Sequence, residues 1–221
     1  YVRDASGNVM AVYESGNANI NGGNLSQIEV HLYGSSRLGI WNPNRNVQVV
    51  PAPVTYPMTG LSSAGVVRTY KRGLKFFELS NHLGNVLATV SDRNLAIDLG
   101  GDKVVDGYTA DIWTVSDYFP FGSPMPERTF SNGDYKFGFN GKENDNEVRG
   151  NGNYQDYGLR GYDSRLARFF SVDPLTQKYP WYTPFQFAGN KPIQFIDLDG
   201  GEEKEKTKNT SIAGEEESKG K

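Results

Sequence analysis

Three aspartates near the C-terminal end are the residues best placed to do chemistry. Asp173 lies in Ser171-Val172-Asp173-Pro174, and Asp197 and Asp199 lie in Ile196-Asp197-Leu198-Asp199-Gly200-Gly201. Two carboxylates held close together do not both ionise cheaply. One keeps a proton while the other is charged, which suits acid and base roles in cutting an amide bond. The same residues also read as a turn, because Asp and Gly after an apolar stretch such as Ile193-Gln194-Phe195-Ile196 supply Asx hydrogen bonds and a chain reversal. The acid–base reading has one added requirement: the fold must bring Asp173 beside Asp197. Arg168, just before Phe169, is a candidate to orient a carboxylate through a bidentate contact, or else to pair with a neighbouring acid on a strand surface.

A second acidic group suggests calcium. Asp98, Asp102 and Asp106 fall at the first, fifth and ninth positions of a loop with EF-hand-like spacing. Lys103 stands where the sharp-turn glycine belongs, Gly100 supplies no side-chain oxygen, and Thr109 replaces the closing glutamate, so a solvated acidic hairpin is the other reading. His31 and His82 are far apart in sequence and neither neighbours a serine or cysteine arranged as a triad; zinc would need more nitrogen or sulfur ligands. No glycine-rich phosphate loop leads into a helix, so no cofactor is expected. The aromatic block Tyr179-Pro180-Trp181-Tyr182-Thr183-Pro184-Phe185-Gln186-Phe187 reads either as core packing or as a sugar-stacking platform.

These side chains need a scaffold, and composition points to an all-β one. The chain has 221 residues, among them 26 glycines, 13 tyrosines and 12 phenylalanines, which favours short strands joined by tight turns. Net charge is -3 with basic residues scattered, so the electrostatic footprint of a nucleic-acid binder is missing. Cysteine is absent, which removes disulfide and thiolate chemistry. No apolar run reaches the roughly 20 residues a membrane helix needs. The chain opens on Tyr1 rather than methionine, so it is expected to be a fragment, with any export signal upstream.

Alternating apolar and polar residues mark strand candidates at Val9 to Tyr13, Ile28 to Tyr33, Val47 to Val50, Leu74 to Leu79, Val86 to Val90 and Tyr135 to Phe139. Gly-Asn, Asn-Gly and Gly-Gly pairs between them tolerate the positive φ of hairpin turns, so an antiparallel hairpin meander is expected. Residues 3–12 and 81–90 form a loose internal repeat, each a Gly-Asn turn feeding an alternating strand. Residues 34–66, with Pro51, Pro53 and Pro57, read as an irregular excursion. One core over residues 1–201 is expected. The mixed-charge tail, 202–221, cannot repay its ordering entropy by burial and is expected to be disordered. Its roughly 20 residues are too few for a folded effector domain.

From Tyr154 to Gly200 the order of Tyr-Asp, Arg-Phe, Asp-Pro, Asn-x-Pro and Asp-x-Asp-Gly elements resembles the Rhs/YD-repeat-associated core. Tyr162-Asp163-Ser164-Arg165-Leu166-Ala167-Arg168-Phe169 is similar to the repeat that names the family, with Ser164 and Ala167 in place of a usual proline and glycine. Tyr33 to Gly39, Asn81 to Val86 and Asp117 to Gly122 look like further family elements in family order. The family's terminal motif is Pro, four variable residues, Asp, Pro, any residue, Gly, Leu. Here Pro192, Asp197 and Gly200 match it, Leu198 stands at the second proline, and Gly201 stands at the leucine.

The resemblance implies a β-rich shell around a C-terminal effector used in bacterial competition. It also implies aspartate-dependent self-cleavage after Gly201, with Asp197, Asp173 and Arg168 as the candidate residues. Implied partners are the chain's own effector, the remaining shell and secretion machinery, in a secreted or cell-surface bacterial protein. The different-class alternative is a non-catalytic surface or adhesion module binding glycans or proteins. A glycosidase would need a carboxylate pair across a cleft, and no spacing singles one out.

Overall fold

The computed structural model describes residues 1–48, 55–56, 65–66, 71–133, 135–201 and 203–205, with only the backbone described at 55–56, 65–66 and 203–205. The fold is all-β and largely antiparallel. It divides into two compact units. Tyr1–Leu79, Ala88–Val115 and Phe130–Tyr135 make the first, and Ser80–Leu87, Ser116–Thr129 and Lys136–Lys221 make the second.

In chain order the strands of the large sheet and its neighbours are β1 (Val2–Arg3), β2 (Val9–Glu14), β3 (Ser26–Tyr33), β4 (Arg37–Trp41), β5 (Arg45–Asn46), β6 (Thr55–Tyr56), β7 (Gly65–Val66), β8 (Lys75–Ser80), β9 (Val86–Ile97), β10 (Gly107–Tyr118) and β11 (Pro124–Ser131). Sheet order is β1-β2-β3-β4-β8-β9-β10-β11, with β5 added to β3, and β6 pairing only β7. The expected strands around Val9, Ile28, Leu74 and Val86 all form, the last extended to twelve residues.

Inside the range expected to be irregular, β4 pairs β3 on one side and β8 on the other. Gly39 makes this possible: a Cβ there would stand 2.0 Å from the Phe76 carbonyl oxygen. Val47 and Gln48 form no strand, and Val49 and Val50, with Pro51, Pro53 and Pro57, lie outside the described residues. Ala11, Val12, Ile40 and Phe76 are buried, and the Phe76 ring packs 4.8 Å from that of Trp113. Buried acids in this unit are answered by partners: Glu78 takes Arg37 Nε at 2.8 Å and the Tyr135 hydroxyl at 2.5 Å, and Asp111 takes the Ser91 hydroxyl at 2.7 Å.

The internal repeat holds bond for bond. Asp4 Oδ1 accepts the N–H groups of Ser6 and Asn8, and Asn81 Oδ1 accepts those of Leu83 and Asn85. Gly7 and Gly84 close the two turns at φ 85° and 81°. An Asx side chain three residues ahead of a left-handed glycine therefore dictates the turn in both places.

In the second unit β12 (Glu143–Asn144), β13 (Tyr154–Asp156), β14 (Gly161–Asp163) and β15 (Arg168–Phe169) make an antiparallel four-stranded sheet. One helical turn, α1 (Asn146–Arg149), is capped by Asp145, which accepts the Glu147 N–H. Tyr135 to Phe139 forms no strand. Phe137 makes a single bridge to Glu143, and left-handed Asn140 and Gly141 turn the chain at once. Phe139, Tyr157, Tyr162, Phe169, Phe187 and Ala188 form the core of this unit, with the Tyr162 and Phe187 rings stacked at 4.3 Å.

The last described elements are a hairpin of β16 (Phe195–Asp197) and β17 (Glu203–Glu205), in register Asp197 with Glu203 and Ile196 with Lys204. Residues 203–205 of the expected tail therefore pair as a strand, because a backbone ladder needs no apolar side chains. Residues 206–221, expected to be disordered, lie outside the described residues.

Candidate functional site

The connection from β13 to β14 supplies a residue that the sequence motifs passed over. Tyr157 N–H donates to the Arg160 carbonyl at 3.2 Å, and Gly158 takes φ 100° to close the hairpin. Arg160 then lies two residues before Tyr162, and alternation along a strand puts both side chains on the core side. Arg160 is 2% exposed.

Every nitrogen of that guanidinium has a partner. Nη2 sits 3.0 Å from Asp173 Oδ2 and 3.8 Å from Asp197 Oδ2. Nη1 donates to the Pro184 carbonyl at 3.2 Å, Nε donates to the Gly200 carbonyl, and the group lies 3.8 Å from the Phe169 ring centroid. Burial pulls the guanidinium below its ordinary value, with Asp173 and Asp197 pulling the other way. It stays cationic, and one buried charge serves two buried carboxylates.

Each carboxylate is also tied to its own backbone. Asp173 Oδ1 accepts the Leu175 N–H at 2.7 Å, while the Asp173 N–H donates to the Pro184 carbonyl at 2.9 Å. Asp197 Oδ1 accepts the Gly200 N–H at 2.6 Å. The turn reading and the paired-carboxylate geometry thus coexist in one residue. Asp197 is 1% exposed, and burial raises its pKa to about 6; the Gly200 N–H, Arg160 and Lys142 pull it down, and Asp199 pushes it up. The result is an acid that still holds a proton well above the ordinary carboxylate range. Asp199 is exposed; its Oδ1 accepts the Gly201 N–H at 3.0 Å, and its carbonyl accepts the Leu159 N–H at 2.9 Å.

Two glycines fit this turn closely. Gly200 has φ 87°, and a Cβ on it would stand 3.0 Å from the Arg160 backbone nitrogen. A Cβ on Gly201 would meet Asp199 Oδ1 at 3.3 Å and Leu159 Cδ1 at 3.4 Å.

The fold brings Asp173 and Asp197 onto the same nitrogen, and it places Arg168 elsewhere. Arg168 is exposed on β15, beside buried Phe169 and opposite Asp163 in the ladder. Asp163 is instead approached by Arg149 at 3.4 Å and Arg165 at 3.6 Å.

Asp98, Asp102 and Asp106 spend their oxygens on backbone. Asp98 accepts from Gly101 and Lys103, Asp102 from Val104, and Asp106 from Leu99. Among the described residues no group of three or more His, Cys, Asp or Glu side chains is arranged to hold a metal ion. His31 is buried with Nε2 3.3 Å from Glu29, and His82 is exposed. The aromatic block divides: Phe187 is fully buried, whereas Trp181 is 70% exposed and makes edge contacts with Tyr179 and Tyr182. No helix of the described residues is long and apolar enough to cross a membrane.

No family model matches the chain. It is 29% identical over 202 residues to salivary gland surface protein 1 of Aedes aegypti, a match covering 90% of this chain and 4% of that protein. Crystal structures of TcdB2-TccC3-Cdc42 and of TcdB2-TccC3 without its hypervariable C-terminal region align over 90% of the chain, at TM-scores of 0.44 and 0.43 and identities of 14% and 15%. The chain spans only 10% and 9% of those two chains.

Proposed function

We propose that this chain is the core segment of a larger Rhs-like β-shell protein, and that its terminal hairpin cuts its own backbone between Gly201 and Glu202 to free the segment that follows. The observation that carries this reading is the burial of Asp173 and Asp197 against the single guanidinium of Arg160, which also holds the Gly200 carbonyl beside the scissile bond. Arg160 takes the orienting part for which Arg168 was one candidate.

The roles follow from charge. Asp173, 3.0 Å from Arg160, is the carboxylate that removes a proton from water as the water oxygen attacks the Gly201 carbonyl carbon. Asp197, with its pKa raised to about 6, is the acid that delivers a proton to the departing Glu202 nitrogen. The C–N bond breaks, one water is consumed, and a Gly201 carboxylate and a Glu202 amine result. About a tenth of Asp197 holds its proton at neutral pH, so the rate rises as pH falls toward 6.

Intact mass of the parent chain, followed over days, tests this. Wild type is expected to yield a fragment ending at Gly201; Asp197→Asn, Asp173→Asn and Arg160→Gln are expected to stay whole. A wild-type chain of unchanged mass sinks self-cleavage, and cutting that survives all three substitutions sinks the assignment of residues.

A second reading, a non-catalytic surface module that binds glycans, is favoured by the exposure of Trp181 between Tyr179 and Tyr182. The name of the mosquito relative, a surface protein, is in keeping with it. An uncut chain that loses glycan-array binding on Trp181→Ala would support this reading over the first.

A further inference from the structure

Three successive carbonyls of the terminal turn are each held by a separate donor. Leu159 N–H holds that of Asp199, Arg160 Nε holds that of Gly200, and Lys142 Nζ holds that of Leu198. Lys142 reaches the turn from 56 residues away in sequence, and its own backbone is closed tightly. Its N–H donates to the Phe139 carbonyl and its carbonyl accepts the Gly138 N–H, both at 3.0 Å, while Phe139 is packed in the core. The ammonium stands 4.9 Å from the Tyr157 ring centroid. This lysine is fixed at its root, steered by an aromatic face and ends on a carbonyl at the exposed rim of the turn.

We infer that Lys142 is a positioning residue of the terminal turn. It fixes the Leu198 carbonyl and sets a second cation near Asp197, so that the backbone leading to Gly201 keeps its place against Arg160. Its effect on cutting rests on the self-cleavage reading above; its hold on the turn does not. The charged and titratable groups around Asp197 are Arg160, Asp173, Asp199, Lys142, Tyr157 and Tyr162. Of these, Arg160 and Lys142 are the cations that favour the charged form of Asp197.

The test compares wild type with Lys142→Gln, Lys142→Met and Lys142→Arg, each checked for cooperative unfolding. Carbon NMR of the Asp197 carboxyl gives its titration midpoint, amide exchange reports Gly200 and Gly201, and intact mass gives the cutting rate. In Lys142→Gln and Lys142→Met the midpoint is expected to rise above wild type, the two glycine amides to exchange faster, and cutting to slow about tenfold. Lys142→Arg is expected to restore all three. An Asp197 midpoint and glycine exchange that stay at wild-type values in both neutral variants overturn the inference. A wild-type chain that never cuts overturns the self-cleavage reading alone, because the midpoint and the exchange still decide the part played by Lys142.

Discussion

Asp98 and Asp197 each open an Asp-Leu segment that runs into glycine, and each accepts the N–H of the glycine three residues on at 2.6 Å. Their surroundings differ. The second oxygen of Asp98 accepts another backbone N–H, from Lys103, and Leu99 beside it is 84% exposed. The second oxygen of Asp197 faces Arg160, and the side chain is sealed from solvent. One Asx turn is a solvated hairpin end and the other a buried acid. The hydrogen bond that makes the turn is therefore no guide to chemistry; what sets the two apart is desolvation and the presence of one cation shared with Asp173.

Removing that cation should produce the largest difference between the two turns. Arg160→Met strips two buried carboxylates of the counter-charge they share and is expected to cost about 3–5 kcal/mol in denaturant unfolding. Lys103→Met, beside Asp98, should leave the midpoint almost unmoved. Equal losses from the two substitutions would end the distinction.

Glycine substitution sharpens it further. Gly200→Ala combines a left-handed backbone with a close approach to Arg160 and should cost about 1–3 kcal/mol, more than Gly101→Ala, where φ is also positive but nothing stands within 4 Å of the added Cβ.

A pH series comes next. Folding raises Asp197 from 3.8 to about 6, so the folded chain binds more protons than the unfolded chain between those values. The stability this contributes is fully present below 3.8 and is lost as pH rises through about 6, a change on the order of 3 kcal/mol. Asp197→Asn, neutral throughout, should flatten the denaturation midpoint across that window.

Much of the scaffold was legible from local pattern. Alternation found β2, β3, β8 and the start of β9, and the Gly-Asn turns of the repeat formed the same bonds twice, because an Asx side chain and a left-handed glycine act within five residues. Alternation failed at Tyr135 to Phe139, where Asn140 and Gly141 turn the chain before a ladder can form. It failed again at Val47 and Gln48, which form no strand, and it missed β4, whose placement depends on Gly39 approaching Phe76, a contact between strands distant in sequence.

The site divides in the same way. Asp173 and Asp197 stand out by type and motif, whereas Arg168 reads either as an orienting cation or as the partner of a neighbouring acid on the strand surface. Alternation held a usable signal: Phe169 is an inward aromatic, so Arg168 must point outward, and Tyr162 points inward, so Arg160 does too.

By itself the sequence determined an all-β chain, the Asx turns and the two aspartates worth testing, since turn chemistry and strand alternation are local properties. Only the tertiary structure decided which aspartate turn is buried, which arginine serves it, and that Lys142 grips the same loop from 56 residues away. Those outcomes depend on desolvation and on contacts across the chain, and no local pattern records either one.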